Sequence, residues 1–136
     1  MGFLHPSQAS SSFGSSVAGV GDLDADGHPD LAVGAKNENA VYVFSGKTLG
    51  LMRRFENASV SGFGTTLSGG VDFDRDGHSD FIIGSPLHAS GNGRAEVVSG
   101  RLFSTGHASP QLFVHTVSRR ENLGNSVACI GDVDGD

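Results

Sequence analysis

Apolar residues in this chain come in short runs, and turn residues break every run. Asp30-Leu31-Ala32-Val33-Gly34-Ala35-Lys36 is one, and Asp80-Phe81-Ile82-Ile83-Gly84-Ser85-Pro86 is another. Each leads into a second run, Val41-Tyr42-Val43-Phe44-Ser45-Gly46 or Ala95-Glu96-Val97-Val98-Ser99-Gly100. Then come Leu51-Met52-Arg53-Arg54-Phe55 and Gln111-Leu112-Phe113-Val114-His115. Runs this short, rich in Val, Ile and Phe and bounded by Gly, Pro and Ser, predict strands. The pattern gives four short strands per 50–60 residues and no helix.

The units repeat. Phe13-Gly14, Phe63-Gly64 and Leu123-Gly124 stand 50 and 60 residues apart, and Asp22, Asp72 and Asp132 keep the same intervals. A period of this size marks stacked supersecondary units, and a unit of four short strands is a propeller blade. The expected fold is therefore all-β, built of four-stranded antiparallel blades in a partial propeller. Residues 1–12 are expected to hold the last strand of a preceding blade and a linker. Blades follow at 13–62 and 63–122, and a third begins at 123–136. Phe3-Leu4-His5 lies ten residues before Phe13, as Phe113-Val114-His115 lies ten before Leu123. The chain thus reads as a piece of a longer propeller. Its blades alone would leave apolar inter-blade faces exposed, so self-association is expected.

The chemistry sits in two loops. Asp22-Leu23-Asp24-Ala25-Asp26-Gly27-His28-Pro29-Asp30 and Asp72-Phe73-Asp74-Arg75-Asp76-Gly77-His78-Ser79-Asp80 carry carboxylates at positions 1, 3, 5 and 9. Two unit charges about 4 Å apart cost roughly 1 kcal/mol in water and about 4 kcal/mol at an effective dielectric of about 20. Repeating that cost in one pattern implies a bound hard cation. Calcium fits best, because it takes about 6–8 oxygen ligands in flexible geometry. Gly27 and Gly77 allow the positive φ of a sharp bend. Position 7 of such loops supplies a backbone carbonyl, so the imidazoles of His28 and His78 are expected to be bystanders. Asp30 and Asp80 are expected to close the sites with both oxygens. A third loop, with Asp132, Asp134 and Asp136, lacks the glycine and the ninth ligand and is incomplete.

Other readings fit less well. A helix–loop–helix calcium site closes at roughly position 12, where this chain has Val33 or Ile83. The ninth-position Asp instead runs straight into a strand, which makes the loop a hairpin tip. An Asp-x-Asp phosphatase nucleophile would follow an apolar strand, but Gly19-Val20-Gly21 and Gly69-Gly70-Val71 are glycine-rich. A merely solvated acidic turn does not explain two loops of identical spacing.

Composition changes the picture little. The net charge is −6, and the three loops hold all the acids except Glu38, Glu56, Glu96 and Glu121. The acidity is local and metal-directed. No basic stripe suggests nucleic acid, and no apolar run suggests membrane insertion. The N-terminus lacks the basic and apolar regions of a signal peptide. Cys129 is single and reads as a small buried thiol. His5, His88, His107 and His115 are scattered, with no nucleophile set at interpretable spacing. Asn57-Ala58-Ser59 is a glycosylation tripeptide on an expected surface loop.

Together these residues resemble the FG-GAP repeats of integrin α-subunit propellers and their bacterial relatives. The Phe-Gly pairs supply the "FG", and Gly34-Ala35-Lys36 and Gly84-Ser85-Pro86 each stand one substitution from "GAP". The acidic loops match the family's calcium loop position for position. The resemblance implies two complete calcium sites and a non-catalytic module outside the cell, at its surface or in the periplasm. It also implies a protein or glycan ligand on the face opposite the calcium loops, at roughly 36–40, 57–62, 87–94 and 116–122. The alternative is the propeller region of a larger secreted enzyme active on phospholipids or polysaccharides.

Overall fold

The computed structural model describes residues 10–105 and 111–133. Phe3, Leu4, His5 and His107, like Asp134 and Asp136 of the third loop, lie outside the described residues. Eight strands form two antiparallel sheets in meander order. The first sheet holds β1 (Phe13–Gly21), β2 (Asp30–Ala35), β3 (Ala40–Phe44) and β4 (Leu51–Glu56). The second holds β5 (Thr66–Val71), β6 (Asp80–Ser85), β7 (Arg94–Val98) and β8 (Gln111–Thr116). Each is a blade of four short strands. Even the irregularities repeat, with a register shift at Gly19/Gly21 and again at Gly69/Val71.

Two helical turns depart from the expectation of no helix. α1 (His88–Gly91) is a single turn in which Ala89 and Ser90 take left-handed φ of 49° and 60°. α2 (Arg101–Thr105) lies between β7 and β8. Five residues are too few to show a helical period. The helix is held instead by burial of Leu102 and by Phe103, which packs on the core. The glycine-rich segments ahead of the loops are strand, and tight blade contact explains their composition. A Cβ on Gly69 of β5 would come within 2.8 Å of Val20 on β1.

The main core lies between the sheets. Val20, Leu23, Ala32, Val41 and Val43 of the first blade meet Phe81, Ile83, Val98 and Leu102 of the second. Phe55 sets its ring edge-on against Phe81 and Phe103 at 5.9 and 6.1 Å. Arg54 lies on the edge strand β4. It donates to Tyr42 Oη at 3.1 Å and pairs with Glu38 and Glu56.

A backbone lock joins successive repeats. Gly34 lies so close to Gly64 that a Cβ would sit 2.1 Å from the Gly64 carbonyl oxygen. That oxygen accepts a hydrogen bond from Ser16 Oγ at 2.8 Å. The next repeat does the same. A Cβ on Gly84 would sit 2.2 Å from the Gly124 carbonyl oxygen, and Thr66 Oγ1 donates to that oxygen at 2.7 Å. The start of the third repeat therefore lies on the second blade, and Cys129 N adds a bond to Ser68 Oγ at 2.9 Å. Cys129 is only half-buried, where the sequence reading expects a buried thiol. Among the described residues no helix is long and apolar enough to cross a membrane.

Gly34→Ala should force the blades apart and cost about 3 kcal/mol, at the upper end of overpacking effects. Gly14→Ala meets no neighbour and should cost only about 1 kcal/mol of backbone strain. Urea unfolding of the two variants beside the parent measures the difference.

Candidate metal centre

Each acidic loop joins the first two strands of its blade, from β1 to β2 and from β5 to β6. The two loops fold identically. Asp26 N donates to Asp22 Oδ1 and Asp24 Oδ1 at 3.1 and 3.2 Å, and Asp76 N donates to Asp72 Oδ1 and Asp74 Oδ1 at the same distances. Gly27 N and Gly77 N each reach the remaining oxygen of position 1 at 2.8 Å. Short acidic side chains bonding the backbone ahead of them build the turn itself. Position 6 has φ of 88° and 90°, as expected for glycine. Position 4 is also left-handed, with Ala25 at 61° and Arg75 at 59°. Nothing in the sequence signals that bend, because neither residue favours it.

The ninth residue organises the site. Asp30 is buried at the start of β2, with Oδ2 accepting from Leu23 N at 2.8 Å and Oδ1 from Gly46 N at 3.0 Å. Asp80 repeats this with Phe73 N at 2.7 Å and Gly100 N at 3.0 Å. One carboxylate thus ties the acidic loop to the turn after the third strand.

Three carboxylates converge in each blade. Asp22, Asp24 and Asp30 offer oxygens within 4.8 Å of one another, as do Asp72, Asp74 and Asp80. Calcium–oxygen bonds of about 2.3–2.6 Å allow ligands on opposite sides of one ion to lie up to about 5 Å apart. The groups therefore fit one such cation each. Asp26 and Asp76 stand outside these groups. Asp26 Oδ1 instead accepts from His28 N at 3.0 Å, and its Oδ2 lies 4.0 Å from Lys47 Nζ. Asp76 Oδ1 likewise accepts from His78 N at 2.9 Å, but Asp76 Oδ2 is enclosed without a hydrogen-bond partner. A buried carboxylate oxygen with no donor is what a bound cation would satisfy.

The imidazoles lie to the side. His28 Nδ1 contacts Asp26 Oδ1 at 3.3 Å, and His78 Nε2 contacts Ser104 Oγ at 3.3 Å. Asp132 is exposed beside the second loop, where Val71, Asp72, Phe73, Arg75, Gly131 and Val133 surround a cleft of about 330 Å³.

The electrostatics ask for positive charge. Burial pushes the Asp80 carboxyl above its usual 3.8, and the Asp74 and Asp72 carboxylates add to this, while the Gly100 and Phe73 N–H groups oppose it. Asp24 is also raised, first by burial and then by Asp26 and Asp30. A cation removes that repulsion and favours the ionised forms.

A family model of the FG-GAP repeat matches residues 13–44 and 63–99, one span in each blade. The chain belongs to the FG-GAP repeat family. Both spans cover the Phe-Gly pair, the acidic loop and the first three strands. In this FG-GAP chain the family glycines have a visible task, since Gly64 and Gly124 are the residues whose carbonyls lock each repeat to the one before.

Asp24→Ala should abolish metal binding in the first loop only, and Asp74→Ala in the second only. Calorimetric stoichiometry should fall from two to one in either variant, and loss of both sites would show coupling. The raised carboxyls give a pH dependence. Without metal, the folded chain holds these protons more tightly than the unfolded chain. Their stabilisation is full below 3.8 and is lost as pH rises through the raised values. Calcium must displace the same protons, so its affinity should fall as pH drops through that window. Titrations at several pH values above and below the window check the sign.

Proposed function

We infer that this chain is a calcium-stabilised, non-catalytic scaffold working outside the cytosol. Its blades hold loops that bind a protein or glycan, and further propeller blades complete the disc. The observation that carries this reading is the carboxylate group formed identically in two blades. Extracellular calcium modules have dissociation constants of about 10⁻⁴–10⁻³ M. At about 1 mM calcium each site then stabilises the fold by roughly 0.4–1.4 kcal/mol. Resting cytosolic calcium is too low to fill such sites, which supports an extracellular, cell-surface or periplasmic home.

The antiparallel order supports the display role. The acidic loops, the turn at 45–50 and the described residues 99–105 share one edge, and the segments 36–39, 57–65 and 86–93 share the other. On that second edge the loops are stitched together. Asn39 Oδ1 accepts from Gly62 N at 2.8 Å, and Asn57 N donates to the Asn39 carbonyl at 3.0 Å. Lys36, Asn37, Thr65, Leu87 and Asn125 line a cleft of about 340 Å³ at the blade boundary. It offers an amine, amides and a hydroxyl beside apolar surface, a set suited to sugar hydroxyls or a peptide.

The test is a screen of the chain against a glycan array and a panel of extracellular proteins, in calcium and then in chelator. Calcium-dependent binding that Lys36→Ala or Asn37→Ala weakens about tenfold or more, at roughly 1.4 kcal/mol, is expected. Binding that is indifferent to calcium and to both substitutions contradicts the reading.

A further inference from the structure

The cleft of about 340 Å³ at the blade boundary differs in charge from the rest of the chain. Every Asp among the described residues lies on the opposite edge, in or beside the acidic loops. No acid lines the cleft, and Lys36 is the cation in its wall. Among the described residues Lys36 forms no ion pair, and neither do Arg119 and Arg120, exposed in the segment that follows β8. The acid nearest to Lys36 in sequence is turned inward. Glu38 accepts from Tyr42 Oη at 2.7 Å and faces an Arg54 guanidinium nitrogen at 3.6 Å, so its charge is answered inside the first blade.

The neutral groups around the cleft have fixed roles. Asn37 Nδ2 donates to the Ser10 carbonyl at 2.9 Å and to Ser12 Oγ at 2.8 Å. Both of its N–H groups are thus used, and Oδ1 is left as an acceptor. Thr65 Oγ1 donates to the Gly62 carbonyl at 2.6 Å, so that oxygen also has only lone pairs to offer. Pro86 and Leu87 supply a small apolar wall. Leu87 is 58% exposed and is seated on Gly62, where a Cβ would meet it at 3.3 Å. The backbone is already engaged. The N–H groups of Asn37, Glu38, Asn39, Thr65 and Asn125 all donate to carbonyls within the loops, at 2.9–3.3 Å. A peptide that docks by strand addition needs unpaired backbone groups, and these donors are taken.

We propose that this cleft takes an anionic sugar unit of a glycan, a uronate or a sialate. The Lys36 ammonium pairs with the sugar carboxylate. Asn37 Oδ1 and Thr65 Oγ1 accept from ring hydroxyls, and Pro86 and Leu87 cover the C–H face of the ring. An acidic peptide side chain matches only part of this set, because it brings the carboxylate but no hydroxyls for the two acceptors. The inference rests on the display role given above and adds the class of ligand.

Calorimetric titration of the full chain in calcium is the test. The probes are oligogalacturonate, sialyllactose, their uncharged counterparts galactose oligomers and lactose, and poly-glutamate. At least one acidic sugar should bind about tenfold or more tightly than its uncharged counterpart and than poly-glutamate, the gap that a charge-assisted hydrogen bond gives. The tighter of the two acidic sugars identifies the unit. Lys36→Gln should close the gap and Lys36→Arg should keep most of it. Both variants should melt like the parent, since Lys36 is exposed. The gap should narrow as salt rises, because the Debye length falls from about 30 Å at about 0.01 M to about 10 Å at about 0.1 M. Equal affinity for charged and uncharged sugars, poly-glutamate binding as tightly, or a gap that survives Lys36→Gln would overturn the proposal. If the acidic sugars are silent while a neutral glycan or a protein binds in the wider screen, this inference fails and the scaffold reading stands. If calcium binds but no probe and no screened partner does, both fail.

Discussion

One carboxylate per blade does the joining. Asp30 and Asp80 sit buried at the first residue of the second strand, and each accepts two backbone N–H groups from different turns. A buried carboxylate is tolerated because it is fully hydrogen-bonded, and such charge-assisted bonds are about twice as strong as neutral ones. The same carboxylate faces two others. Strand, turn and carboxylate group are thus fixed by a single side chain. In the second blade, burial also pushes the Asp80 carboxyl above its usual value, and a cation would answer that electrostatic demand.

The second constraint is the closeness of the blades. The glycines at the ends of β2 and β6 admit a carbonyl from the following repeat, and a Ser or Thr hydroxyl pins that carbonyl. The lock sets the stacking distance, and the apolar residues fill what remains. Site and stacking are physically linked, because Leu23 lies inside the acidic loop and its side chain is part of the inter-blade core. The loop that gathers carboxylates on one side seats the neighbouring blade on the other.

Much of this was legible in the sequence. The strand runs, the repeat and the hairpin placement of the loops follow from periodicity and turn residues, because those signals are local. Spacing proposes the carboxylates at positions 1, 3, 5 and 9, and those at 1, 3 and 9 of each loop come together. The rest was hidden because it depends on distant partners. α2 exists through the burial of Leu102, which no five-residue pattern reveals. The left-handed Ala25 and Arg75 are imposed by the Asp26 and Asp76 N–H groups donating to the flanking Asp carboxylates. Asp26 and Asp76 stand outside the carboxylate groups and accept from the His28 and His78 amides instead, which the D-x-D-x-D-G pattern does not display. Gly46 and Gly100 partner the ninth Asp across 16 and 20 residues, and no spacing rule announces them.

Calcium calorimetry on the 136-residue chain, with its melting transition followed in parallel, tests the central claim most directly. Two ions bound per folded chain, with a transition that falls in chelator, is the outcome required by two metal-tied blades. A chain that melts cooperatively yet takes up no calcium would contradict it, and the acidic loops would then be turns held by their own backbone bonds alone.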